Sequence, residues 1–410
     1  MRAFLRRLAT GAALALALMS GARADVWEDA VAAAGRGDYA TEFRLLKPLA
    51  DQGLAQAQYN LGVIYKDGQG VPQDYAQAVN FFRLAADQGY APAQFNLGVM
   101  YANGQGVPQD YAQAVNYFRL AADLGFALAQ YSLGVMYTHG QGVPQDYAQA
   151  VKYFHHAANQ RLALAQFNLG VMYANGRGVP QDYVEAYKWL NLAADQGLAQ
   201  AQYNLGVIYK DGQGVPQDYA QAVNFFRLAV NQGYAPAQFN LGVMYRDGLG
   251  VPQDYAPALK YFRIAADQNL APAQFNLGVM YDNGQGVPQD YAQAFKYFHL
   301  AADLGHAQAQ SNLGVMYTHG QSVPRDYAQA LKYFHLAANQ GLAQAQFNLG
   351  VMYRDGLGVT RDYVEAYKWL NLAAAHDYGG ASEASDLIAS KMTSAQIAQA
   401  QQLSREWKSH

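Results

Sequence analysis

The side chains that could do chemistry in this chain are spaced rather than clustered. A glutamine returns every 36 residues, at Gln58, Gln94, Gln130, Gln166, Gln202, Gln238, Gln274, Gln310 and Gln346. Two residues after it stands an asparagine, at Asn60, Asn96, Asn168, Asn204, Asn240, Asn276, Asn312 and Asn348, with Ser132 as the exception. A side-chain amide both donates and accepts hydrogen bonds, so two readings are open. Either the amides bond to neighbouring turns or repeats, or they form a ladder along one face that hydrogen-bonds an extended ligand. On the second reading every pair of the two rows, from Gln58 with Asn60 to Gln346 with Asn348, is a ligand contact.

Catalytic and metal-binding constellations are missing. There is no S-x-x-K, G-x-S-x-G, H-E-x-x-H or P-loop motif. The absence of cysteine excludes disulfides, thiolate metal sites and a cysteine nucleophile. His139 and His319 stand in equivalent T-H-G loops. His155, His299 and His335 share a position where other repeats carry Arg or Asn, which suggests a solvent-facing polar site. His155 and His156 are neighbours, but adjacent helical residues point about 100° apart, a poor start for chelation. Asp74 and its eight equivalents precede helices and read as N-caps rather than paired acids. No metal or cofactor is expected.

The elements that must position these residues follow the same period. The string N-L-G-V-M-Y and its close variants place a leucine at Leu61, Leu97, Leu133 and onward to Leu349, giving nine units over residues 51–374. In the first unit, helix A is expected near Leu54 to Tyr65, with Ala57, Leu61 and Tyr65 on one face. Gly62 leaves room for the close approach of another backbone. Asp67-Gly68 suits a helix end with glycine in the left-handed conformation, and Pro72 prevents continuation. Asp74 with Gln77 forms a capping-box-like pair. Helix B should run from Tyr75 to about Asp87 and bury Ala78, Val79, Phe82, Ala85 and Ala86. Trp189 and Trp369 take the place of a core aromatic on helix B.

The ends differ from the repeats. Residues 25–50 read as a capping helix pair whose second helix is kinked or shortened at Pro48. Residues 375–410 read as closing helices, the last capped by Thr393 with Gln396 and carrying Ile397, Leu403 and Trp407. The whole is an all-α solenoid of antiparallel helix pairs. Residues 51–85 are identical to residues 195–229, the trace of a duplication inside the array.

The pattern A-x-A-Q-F-N-L-G-V-M-Y … G-x-G-V-P-Q-D-Y-x-x-A … Y-F-x-x-A-A resembles the Sel-one-like repeat, a relative of the tetratricopeptide repeat. The resemblance implies a right-handed superhelix whose A helices line the concave face, used as an adaptor for protein complexes. Envelope members of that family look like scaffolds. Some relatives have been called β-lactamases and tend to carry paired cysteines, which this chain lacks. Selectivity should then reside where repeats differ: the pair at 66–67 and its equivalents, Arg161 in place of a terminal glycine, His306, and Ser311 in place of a core aromatic, which suggests a shallow hole.

Residues 1–24 read as a secretory signal. Arg2, Arg6 and Arg7 precede a short apolar run from Leu8 to Met19, and Ala22-Arg23-Ala24 fits cleavage after Ala24. The run is too short to span a bilayer. Removing these residues moves the net charge from −3 to −7, so neither nucleic acid nor anionic lipid is the expected main partner. The reading is a non-catalytic scaffold, periplasmic or secreted, that binds a protein or extended peptide. A polysaccharide or peptidoglycan ligand is the alternative, and a β-lactamase-like hydrolase is a third reading.

Overall fold

A computed structural model describes residues 21–407. Among the described residues there are 22 α-helices and no strand. The chain divides into two compact units, Met1–Ala201 and Gln202–His410, built by the same rule. A helices begin at Ala55–Asp67 and recur to Ala343–Asp355. B helices begin at Tyr75–Ala86 and recur to Tyr363–Ala374. An N-terminal pair, Gly21–Gly35 and Tyr39–Asp51, precedes them, and Ala381–Ala389 and Ser394–Glu406 close the chain. Most of the expected export signal lies outside the described residues. Its expected cleavage point falls in the first turn of Gly21–Gly35.

Local chemistry sets each boundary. The A helix runs two residues beyond Tyr65, and Gly68 then takes φ +68°, which an L side chain resists. Asp74 begins the B helix by accepting the Gln77 N–H at 3.0 Å. The reciprocal half of the expected capping box is not made. The Asp74 N–H is taken by the Tyr65 carbonyl at 2.9 Å, which ties the loop to the A helix instead. Gln73 Nε2 adds a second tie, to the Lys66 carbonyl at 2.8 Å.

Packing within a repeat depends on the glycine after the conserved-spacing leucine. A Cβ at Gly62 would lie 2.6 Å from ring carbons of Phe82. The gap expected to admit a backbone therefore admits an aromatic ring. Gly170 and Gly350 face Leu190 and Leu370, and there the B-helix backbone does draw near, with Ala186 and Ala366 carbonyls 3.2 and 3.1 Å from the Cβ position. Between repeats, Ala78, Phe82 and Ala85 of one B helix bury against Ala93, Leu97 and Met100 of the next A helix. Each buried Phe, Leu or Met contributes about 1.5–3 kcal/mol, and stability accumulates interface by interface.

Several expectations are corrected. Tyr65 is half-buried, its ring stacked on Phe81 at 5.6 Å, while Ala57 and Leu61 are the buried members of their face. Pro48 lies inside its helix without shortening it: the helix has 13 residues, as does the first A helix. Pro48 is exposed, so water can satisfy the Arg44 carbonyl that its missing N–H leaves free. Trp189 is half-buried at the Phe81 position, and the core place belongs to Leu190. Trp369 is buried because Trp407 packs edge-on against it at 6.3 Å. The final helix has the expected capping box at Thr393 and Gln396, and it buries Ala400 and Ser404 more deeply than Ile397 or Leu403.

Candidate functional site: the A-helix face

The nine glutamines lie in the interior. Each is buried, one turn ahead of the Leu61-type residue. In seven of them, Gln58, Gln94, Gln130, Gln166, Gln274, Gln310 and Gln346, Nε2 donates to the backbone carbonyl eight residues earlier, at 3.1–3.3 Å. That carbonyl belongs to the end of the preceding helix, where four acceptors lack helical partners. The glutamine row therefore ties successive helix pairs together, the first of the two readings left open by the sequence.

The acceptor side of this amide is held by a residue the sequence reading missed. Gln88 donates Nε2 to Gln58 Oε1 at 2.7 Å. The same bond, thirty positions apart, joins Gln160 to Gln130, Gln196 to Gln166, Gln232 to Gln202, Gln268 to Gln238 and Gln340 to Gln310. The clue was a second glutamine on the same period, at six of nine positions.

The asparagines occupy a different place. All eight, and Ser132, are half-buried, with one edge toward solvent. Asn168 and Asn240 donate to the hydroxyls of Tyr131 and Tyr203 in the preceding repeat, at 3.4 and 3.3 Å. Asn276 donates to its own Pro272 carbonyl at 2.8 Å and accepts from Arg246 of the preceding repeat. A shared hydrogen bond also links Asn96 with Tyr59, whose hydroxyl burial pushes up to about 12. The asparagine row thus lies at the seam between repeats, with Asn96, Asn168, Asn240 and Asn276 partnered there and each member half-buried.

Beside this row the surface is notched. A cavity of about 260 Å³ is lined by Lys66, Asp67, Gln73 and Tyr75 of the first repeat and Asn96, Val99, Met100 and Gln105 of the second. Lys66 and Asp67 face each other across 3.3 Å. Equivalent positions carry Lys210–Asp211, Arg246–Asp247 and Arg354–Asp355 pairs in some repeats and Ala-Asn, Thr-His or Asp-Asn in others. The notch offers an amide, an apolar floor and a variable charged rim. Its lining combines hydrogen-bonding groups with apolar contact.

The histidines expected to face solvent together diverge. His155 is exposed and lies edge-on to Trp189. His299 Nδ1 is 3.0 Å from Asp303, and His335 Nε2 is 3.1 Å from the Tyr353 hydroxyl; both rings are half-buried. Burial lowers the His335 pKa. His306 stacks on Phe275 at 4.7 Å and accepts the Ala309 N–H, so it replaces an apolar residue and caps a helix at once. Ser311 is completely buried with its hydroxyl unpartnered. Among the described residues no three His, Asp or Glu side chains gather to hold a metal. No helix there is long and apolar enough to cross a membrane.

Fold and seam geometry together define a helix-pair repeat scaffold. The Sel1 repeat matches nine consecutive segments, from residues 55–90 to residues 343–378, and the chain belongs to that family. Among solved structures it is similar to a protective antigen present in uropathogenic Escherichia coli strains, which displays the same repeat fold. Identity is 33%, over 89% of this chain and 94% of that one, with a TM-score of 0.62. A Sel1 repeat protein from Oxalobacter formigenes is 36% identical over 74% of this chain and 87% of its own, with a TM-score of 0.60. No curated protein matches the chain.

Proposed function

We propose that this chain is an exported, non-catalytic scaffold of the bacterial envelope whose A-helix face docks an extended segment of a partner protein. The observation that carries the reading is the row of half-buried asparagines, of which Asn96 lies beside a notch, with a pair at 66–67 and its equivalents that changes from repeat to repeat. Recurring amides pair with any extended backbone, while variable rims choose among side chains. The buried glutamines keep the spacing of the seams. Export is supported by the basic start, the short apolar run and the Ala22-Arg23-Ala24 motif.

The test is affinity capture of the protein from native envelope extract, with crosslinking and mass spectrometry. Recovery of one protein in near-equal amount, crosslinked to A-helix residues, supports the proposal. If no protein is enriched over an order-scrambled repeat control while glycan arrays give length-dependent binding, the polysaccharide reading replaces it. Sequencing the N-terminus of the envelope-fraction protein tests export: the expected first residue is Asp25, and an intact Met1 would contradict it.

A further inference from the structure

The B helices Tyr255–Asp267, Tyr291–Asp303 and Tyr327–Asn339 carry a surface that the A-face reading does not use. Ile264, Leu300 and Leu336 stand at the same position of successive helices and stay 37–42% exposed. One turn earlier stand Lys260, Lys296 and Lys332, all exposed, and none of them forms an ion pair among the described residues. Each ammonium lies instead over the adjacent tyrosine ring, at 5.6–6.0 Å. The carboxylates of this face sit at the helix ends, and Asp303 is engaged by His299 at 3.0 Å. A chain of net charge −3 thus keeps an unneutralised cationic row beside an apolar row.

We propose that this face docks an acidic amphipathic helix of a partner protein, its leucine-type residues seated on Ile264, Leu300 and Leu336 and its carboxylates on the lysine row. This deepens the scaffold reading and rests on it. The two rows lie about 6 Å apart, one helical turn. Side chains of adjacent B helices meet, since the Tyr333 hydroxyl is 3.3 Å from His299 Nε2, so the rungs join into one continuous surface. A bilayer fits less well. Interfacial anchoring sinks apolar groups about 5–10 Å into the headgroup boundary, whereas these aliphatic side chains are more than half covered and flanked by longer lysines.

The test uses the full chain and a labelled three-heptad peptide with leucine at every seventh position and glutamate on the adjoining turn. Fluorescence anisotropy should show binding that weakens with salt and falls about tenfold or more in K260E/K296E/K332E and in I264S/L300S/L336S. A same-composition scrambled peptide should bind about as poorly as these variants do. Circular dichroism checks that each variant keeps its helices. Equal affinity for the variants or the scrambled peptide overturns the proposal. So does binding to phosphatidylglycerol vesicles without binding to the peptide. If native capture recovers a partner on the A face while the peptide fails to discriminate, the scaffold reading stands and this inference falls. If neither assay yields binding, both fall.

Discussion

Gln94 and Leu124 stand thirty residues apart in the relationship that elsewhere joins two glutamines, and Gln94 Oε1 is buried without a partner. The two other orphaned members of the row fit the same rule. Gln274 faces the Leu304 position and Gln346 the His376 position, and both Oε1 atoms lack a hydrogen bond. Wherever the residue thirty positions on is glutamine, the acceptor is satisfied.

Restoring the missing donor should therefore stabilise the repeat. Leu124 and Leu304 are 58% and 52% exposed, so replacing them sacrifices little apolar burial. Leu124→Gln and Leu304→Gln should each add about 1 kcal/mol, additively because they lie in separate repeats. Thermal unfolding of the single and double variants checks this. Lower melting temperatures in both would show that the orphaned acceptors cost nothing.

Ser311 stands where other repeats place Tyr59, Phe95 or Phe347, and its buried hydroxyl has no partner. Ser311→Phe should remove that desolvation cost and restore the ring, for a gain of roughly 2 kcal/mol. A melting temperature below that of the parent would mean the neighbouring side chains have closed over the space and the ring overpacks it.

Burial pushes the Glu42 carboxyl up to about 7, against an ordinary value of 4.5. The folded chain holds this proton more tightly than the unfolded one. The contribution to stability is complete below about 4.5 and is lost as pH rises through about 7. Glu42→Gln should then leave stability unchanged at pH 4 and raise it by about 1–2 kcal/mol at pH 8. Urea unfolding at the two pH values measures the difference, and equal effects at both would contradict the assignment.

Much of this molecule could be read from its residues, for reasons visible at single positions. Asp74, Gly68 and Pro72 each act through local backbone chemistry, so sequence alone placed the helix ends nearly to the residue. The two amide rows were harder. Gln58 and Asn60 are both polar and only two positions apart, and helical periodicity cannot say which of two polar residues turns inward. That is decided by the orphan carbonyl of the preceding helix and by Gln88, both supplied by packing. That Pro48 does not shorten its helix was hidden, because helix propensity ignores whether the freed carbonyl faces water. Gly62 misled because small residues admit a ring as readily as a backbone.

The central claim, that the A-helix seams dock a protein chain, is tested most directly by a photoreactive amino acid placed at Asn96 and, separately, at Glu383 on the exposed side of the closing helix Ala381–Ala389. Irradiation in native envelope extract followed by mass spectrometry should give a discrete protein adduct from position 96 and none from position 383. Equal labelling at the two positions, or no protein adduct from position 96, would contradict it.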